Sequence, residues 1–287
     1  MLAKAASKRP NAIALILKEI SVSAATVKQT TLKLPSGQLN RVVTIHLLYP
    51  SNMADLSQPL SVLWLNDGQD IESLEVRTSL KKLLVNGKIK PVFTVAIEAG
   101  DRLAEFGTMD VTDYKKRGAK ARAYAEFIVH ELVPYVRKHY PISAAPADNV
   151  FAGLSLGGVS ALDICWNYPQ YFQKTGVFSG SFWWRKRALN AGYTDNDRIV
   201  HQRIRMGTFK PGLKFWLQTG TQDETSDRNN NGIIDSIDDT KDLITELILK
   251  GYQLNADIRY VEVVDGKHHS STWSQVFPDF LLWAFKK

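Results

Sequence analysis

Gly153-Leu154-Ser155-Leu156-Gly157 fits the pattern G-x-S-x-G, in which a serine sits on a sharp turn between two glycines. A serine hydroxyl is a weak nucleophile by itself, so the pattern implies chemistry only where a base takes its proton and a carboxylate steadies that base. The preceding residues Asn149-Val150-Phe151-Ala152 read as a strand, and Val159 to Cys165 read as a helix of small residues. Strand, turn, helix is the context this motif needs. The glycines let strand and helix approach closely while the serine takes a strained backbone. In that setting the Leu156 N–H faces the oxygen on which charge develops. A glycine-rich turn without chemistry could carry the same five residues, so the partners decide.

On such an elbow the partners follow in the order nucleophile, acid, histidine. Of the six histidines, His46, His130 and His139 precede Ser155. His201 lies in a basic stretch with Arg198, Arg203 and Arg205, read as irregular and suited to a surface or binding role. His268 and His269 follow a strand ending at Val264 and precede the final helix, where a base could reach back over a sheet edge. The acid belongs after the strand Leu213 to Gln218, where Asp223 is preferred and Glu224 is held in reserve.

A second motif is not required by the first. Residues 227–238 match a calcium loop of the EF-hand type, with Asp227, Asn229, Asn231 and Asp235 as oxygen side chains, Gly232 at the sharp turn, the Ile233 carbonyl, and Asp238 closing it. A hard cation needs six to eight oxygens, and this spacing wraps them around one point. The expectation is a structural calcium ion; the competing reading is a surface turn bonded to itself.

These groups need a frame. Val22 to Leu34 and Val42 to Leu48, joined by Ser36-Gly37, read as an antiparallel hairpin. Leu60 to Leu65 and Val92 to Ile97 are near-continuous apolar runs, as in parallel strands buried on both faces. Helical periodicity runs between 120 and 139, and strands are expected at Thr175 to Phe178, Leu213 to Gln218 and Ala256 to Val264, with helices at Lys241 to Lys250 and Trp273 to Lys286. Alternating strands and helices after an antiparallel start give an α/β fold with a mostly parallel sheet and helices on both faces. Residues 1–19 read as an N-terminal extension and 20–287 as one domain, with 227–238 as an insertion.

Composition narrows the function. A single cysteine, Cys165, excludes an internal disulfide and a thiolate zinc site. Lys and Arg total 36 against 29 for Asp and Glu, a net charge of +7, yet no basic run stands out, so a solvated basic surface is preferred to nucleic-acid binding. No apolar run approaches the ~18 residues of a membrane span. The apolar stretch Ala12 to Leu17 is too short for a secretory leader, so the expected compartment is cytoplasmic, or periplasmic or extracellular if a leader has been removed.

Segments spanning about residues 40 to 286 together resemble the esterase family of α/β hydrolases that includes enterochelin esterases, esterase D and the antigen 85 mycolyltransferases. Leu65-Asn66-Asp67-Gly68-Gln69 resembles that family's strand-end loop, which implies that the Gln69 N–H completes an oxyanion hole. Phe178-Ser179-Gly180-Ser181-Phe182-Trp183-Trp184 resembles its serine-glycine-serine stretch with an aromatic tail, and Gly220-Thr221-Gln222-Asp223 falls where the family carries its acid, often Glu. Gly266-Lys267-His268 with the later Trp273 implies His268 as the base. The segment Ala99 to Phe106 resembles a pocket loop, so Arg102 and Glu105 join Phe182, Trp183 and Trp184 as candidate pocket groups, with Arg102, Trp183 and Trp184 taken as substrate contacts. The resemblance implies an α/β-hydrolase fold and a serine esterase acting on a small-molecule ester with no cofactor in the chemistry, and the aromatic pair and basic surface would suit aromatic or anionic acyl esters. Two rivals keep the same frame: a calcium-stabilised binding domain without turnover, and an acyltransferase using the same three residues.

Overall fold

The sheet starts at an antiparallel pair, β1 (Val27–Ser36) and β2 (Arg41–Pro50), paired from Val27 against Pro50 to Ser36 against Arg41. A computed structural model describes residues 26–287, so the expected extension over 1–19 and the first residues of the expected strand from Val22 lie outside it. β1 mixes exposed and half-buried residues, as an edge strand with one wet face does. By contrast β3 (Ser61–Asn66), β4 (Val92–Ile97) and β5 (Asn149–Leu154) are buried at every residue, because helices cover both their faces. β6 (Lys174–Phe178), β7 (Lys214–Gln222) and β8 (Ile258–Lys267) complete the sheet in the order β1-β2-β4-β3-β5-β6-β7-β8. Only the β1–β2 and β2–β4 pairings are antiparallel.

Two apolar layers hold the helices to this sheet. One face carries α1 (Val76–Val85), through Leu80 and Leu83, and α6 (Ser270–Phe285), through Phe277, Phe280 and Leu281. The other carries α2, which passes from Ala121–Glu126 through a π-helical segment Phe127–Leu132 to Val133–His139, and α3 (Leu156–Asn167), α4 (Ile199–Met206) and α5 (Asp235–Lys250). Phe280 is fully buried against Phe178, Trp216 and Phe277, and burial of one such ring contributes about 1.5–3 kcal/mol.

The chain leaves β3 for β4 on one side and returns to β5 on the other. Such a reversal opens a crevice at the carboxyl ends of the strands, the usual ligand position in open α/β sheets. The helices differ from the sequence reading in several places, with α3 extending to Leu156–Asn167 and α6 beginning at Ser270 rather than Trp273. α1 was not anticipated, α5 begins at Asp235 rather than Lys241, and the stretch around His201 is the ordered helix α4 rather than an irregular surface.

Candidate active site

β5 ends at Leu154, and the next residue, Ser155, has φ 52° and ψ −117° before α3 begins at Leu156. A non-glycine residue rarely takes positive φ, and the surroundings enforce it here. The Ser155 N–H donates to the Phe178 carbonyl at 2.8 Å, and the Ser155 carbonyl accepts from Gly158, Val159 and Ser181. A Cβ on Gly153 would sit 2.3 Å from the Gly157 carbonyl oxygen, so only glycine lets the strand pass so close to the helix. The turn therefore lifts the Ser155 hydroxyl above the sheet edge at the positive end of α3.

That hydroxyl borders a cleft of about 210 Å³ whose walls include Ser179, Ser181, Trp183, Asp223, Glu224, Ser236 and His268. The sequence-predicted Ser155, Asp223 and His268 are thus brought together from the ends of β5, β7 and β8. Ser155 Oγ lies 3.0 Å from Ser181 Oγ, and among the described residues the His268 ring makes no hydrogen bond. Asp223 is 9% exposed. Its carboxylate accepts from the Gly220 N–H at 2.9 Å and from the Ser179 hydroxyl at 3.1 Å, while Ser179 Oγ accepts from the Trp273 indole at 2.9 Å. Trp273 in turn meets the His268 ring edge-on at 5.2 Å.

Burial raises the Asp223 pKa, opposed by the Gly220 and Ser179 hydrogen bonds and by His268. Crowding by the cleft walls lowers the His268 pKa, the Asp223 carboxylate pulls it back up, and the Arg102 guanidinium lowers it further. The ring keeps an exposed face at the rim, which limits the shift. His269 is also exposed and turns its Nδ1 to Ser271 at the start of α6.

Leu156 and Gln69 stand at the ends of the paired strands β5 and β3. Asp67 takes a left-handed conformation, φ 59° and ψ 49°, and launches the turn Gly68–Asp70 that carries Gln69. A Cβ on Gly68 would lie 2.7 Å from the Ala96 backbone, so this turn is pressed against β4. Among the described residues neither the Leu156 nor the Gln69 N–H donates within the protein.

Several expected contacts are reassigned. Arg102 does not line the cleft: it forks onto Asp67 at 2.8 and 3.0 Å and donates to the Leu154 carbonyl at 3.2 Å, tying the Gln69 turn to the serine elbow. Glu105 is buried and paired with Arg41 at 2.7 Å. Trp184 is fully buried with its indole on Thr108, and Phe182 is buried too, so of the aromatic tail only Trp183 faces the cleft. His201 is buried against the Asp239 carbonyl at 2.7 Å rather than at the surface. Sequence reasoning gave no roles to Ser179, Ser181, Glu224 or Ser236 as cleft walls. The first two follow β6, the neighbour of the serine strand, and that adjacency was the available signal.

In the 227–238 loop, Asp227 accepts from the Asn231 and Gly232 N–H groups, and Asn231 Oδ1 accepts from Ile233. The Asn229 and Asn231 amides both donate to Asp238, at 3.0 and 2.8 Å. Asp235 is turned elsewhere, to the backbone and guanidinium of Arg228, and so leaves the expected ligand set. Among the described residues no three His, Cys, Asp or Glu side chains converge as a metal cluster. Nor is any described helix long and apolar enough to cross a membrane.

The family model described as "Putative esterase" matches residues 36–284. Among curated proteins, the chain is 21% identical over 253 residues to the uncharacterized protein YbbA of Bacillus subtilis, covering 86% of this chain and 94% of that one. It is 25% identical over 174 residues to the iron(III) enterobactin esterase of Escherichia coli K12, covering 59% of this chain and 38% of the relative. A structure of enterochelin esterase from Shigella flexneri superposes with a TM-score of 0.70 at 21% identity, over 89% of this chain and 57% of that enzyme. This chain therefore spans little more than half of the enterochelin esterase it resembles in fold. With residues 36–284 matched by the family model, the chain belongs to this esterase family, and the superposition shows the α/β-hydrolase fold.

Proposed function

We propose that the protein cleaves small-molecule carboxylic esters through an acyl-enzyme on Ser155. Ser155 Oγ attacks the ester carbonyl as His268 takes its proton, and the carbonyl electron pair moves onto oxygen, where the Leu156 and Gln69 N–H groups receive it. The tetrahedral intermediate collapses, the C–O bond to the alcohol breaks, and His268 returns its proton to the leaving oxygen. Water then adds to the acyl-enzyme with His268 again as base, releasing the acid and free Ser155. Asp223 stabilises the imidazolium in both halves and stays ionised. Ser155 Oγ can accept from the Ser181 hydroxyl and still give its own proton to His268.

The observation that carries this reading is the backbone of Ser155, held at φ 52° between β5 and α3 above a cleft shared with Asp223 and His268. Strain of this kind costs about 1–3 kcal/mol and persists where the surroundings over-determine it. Trp183 in the cleft wall suits aromatic acyl esters, in line with the 2,3-dihydroxy-N-benzoyl-serine present in a structure of the Shigella flexneri enterobactin esterase. A fluorophosphonate probe is expected to label Ser155 and to miss Ser155→Ala, whose kcat/KM for p-nitrophenyl and feruloyl esters falls about a thousandfold or more. Labelling at another residue, or activity within about tenfold of wild type in Ser155→Ala, overturns the assignment.

The loop at 227–238 is proposed to hold a structural divalent cation through Asp227, Asn229, Asn231, Asp238 and the Ile233 carbonyl, an all-oxygen set that fits a hard ion. When bound, the ion would brace the turn that begins just after Asp223, and no step of the reaction passes through it. Added calcium is expected to raise the melting temperature and a chelator to reverse it, with the effect lost in Asp227→Ala.

A further inference from the structure

The catalytic cleft does not end at Trp183. A second hollow of about 240 Å³ adjoins it, sharing Trp183 and Glu224 as common walls, and is bounded further out by Tyr114, Lys115 and Arg185. Arg185 is its central feature. The guanidinium lies 5.4 Å from the Tyr114 ring centre, 5.9 Å from Trp183 and 5.7 Å from Tyr193, so aromatic rings surround the charge.

The neighbouring arginines are spent on acids: Arg117 on Asp113, and Arg228 on Asp235 and Asp239. Arg185 is not. It has one long contact, 3.4 Å to the Trp183 carbonyl, and its Nε is buried without a partner among the described residues. A buried donor without a partner costs free energy unless something fills the site. Lys115 also pairs with no acid among the described residues and lies over the Tyr114 ring. Asp235, the one other acid of this hollow besides Glu224, has its charge met by Arg228. Glu224, with its Oε1 buried and unpartnered among the described residues, stands on the wall toward the cleft, and farther out the hollow carries the two cations Arg185 and Lys115 beside aromatic rings.

Resting on the esterase reading above, we propose that this chamber binds a carboxylate carried by the substrate, so that the protein selects esters in which one half bears a negative charge. A guanidinium offers planar paired donors that match a carboxylate. The Tyr114 and Trp183 rings beside the guanidinium lower the local polarity on that side, which strengthens the pairing. The hydrophobic chain between carboxylate and ester would lie on Trp183, the wall common to both hollows.

The test compares pairs matched in size on wild type, Arg185→Met and Arg185→Lys: p-nitrophenyl hemiglutarate against the p-nitrophenyl ester of glutaramic acid for charge on the acyl side, and 3-acetoxybenzoate against 3-acetoxybenzamide for charge on the alcohol side. Wild type is expected to favour the charged member of one pair by about tenfold or more in kcat/KM, chiefly through KM, since hydrogen bonds to charged groups are worth this much. Arg185→Met should abolish that preference, and Arg185→Lys should restore part of it. Equal rates within both pairs, or a preference that survives Arg185→Met, overturn the proposal while leaving the esterase reading intact. Failure of wild type to hydrolyse any of the four esters overturns the esterase reading, and the proposal with it.

Discussion

In the proposed mechanism His268 accepts the Ser155 proton only when neutral, so the acid limb of the rate profile should report its pKa in the working enzyme. That pKa is lowered by desolvation and by Arg102 and raised by Asp223, which places the limb below the usual imidazole value. Replacing Asp223 with Asn removes the one influence that holds the value up. In Asp223→Asn the limb should therefore move to lower pH, while kcat falls about a thousand- to ten-thousandfold for want of imidazolium stabilisation. A limb that stays in place or moves upward in kcat/KM profiles would exclude Asp223 as the partner of His268. At this scale the sequence placed Ser155, Asp223 and His268 at strand ends, and the structure sets all three on one cleft. It gave no sign that the Arg102 charge is matched by Asp67 or that the Trp184 indole is buried against Thr108, because type and neighbourhood reveal neither.

At the scale of elements, the serine elbow is a packing problem between β5, α3 and β6. A methyl on Gly158 would meet Val177 Cγ1 at 2.6 Å and the Gly153 carbonyl at 3.0 Å, so β6 and the first turn of α3 would have to part. Gly158→Ala is expected to cost about 1–3 kcal/mol in urea unfolding. Its kcat should fall by more than KM rises, because the Leu156 N–H moves with that turn. Every strand was legible, since apolar runs and alternation survive in each of them. The helix α4 was not, because Arg198, Arg203 and Arg205 break its polar-apolar pattern while being matched by Asp239, Asp163 and Glu246 from elsewhere in the fold. Long-range pairing of that kind leaves no local trace. For the same reason the early start of α5 was missed, since Asp235 reads as a loop acid until Arg228 is seen against it.

For the molecule as a whole, His201 links catalysis-free parts of the fold to acid stability. It is buried between α4 and α5 with its pKa lowered to about 3, by desolvation first and by Arg198 next. The unfolded chain binds the proton more readily, so this residue's contribution is present above about pH 6.5 and is lost as pH falls toward the folded value. Compared with wild type, His201→Gln should therefore gain about 2 kcal/mol in relative stability between pH 7 and pH 5, read from urea unfolding at the two values. Equal pH slopes in both proteins would show that His201 is accessible to protons in the folded state. The strand order has another consequence, for assembly in time. Ser155, Asp223 and His268 come from the ends of β5, β7 and β8, and His268 follows the last strand of the chain, which forms one edge of the sheet. Contacts so distant along the chain close slowly, because loop entropy must be overcome before they are rewarded. In refolding, esterase turnover should return with the slowest phase, after helical signal and compactness have recovered. The hydrolytic centre thus doubles as a clock that strikes only when the last edge of the protein is in place.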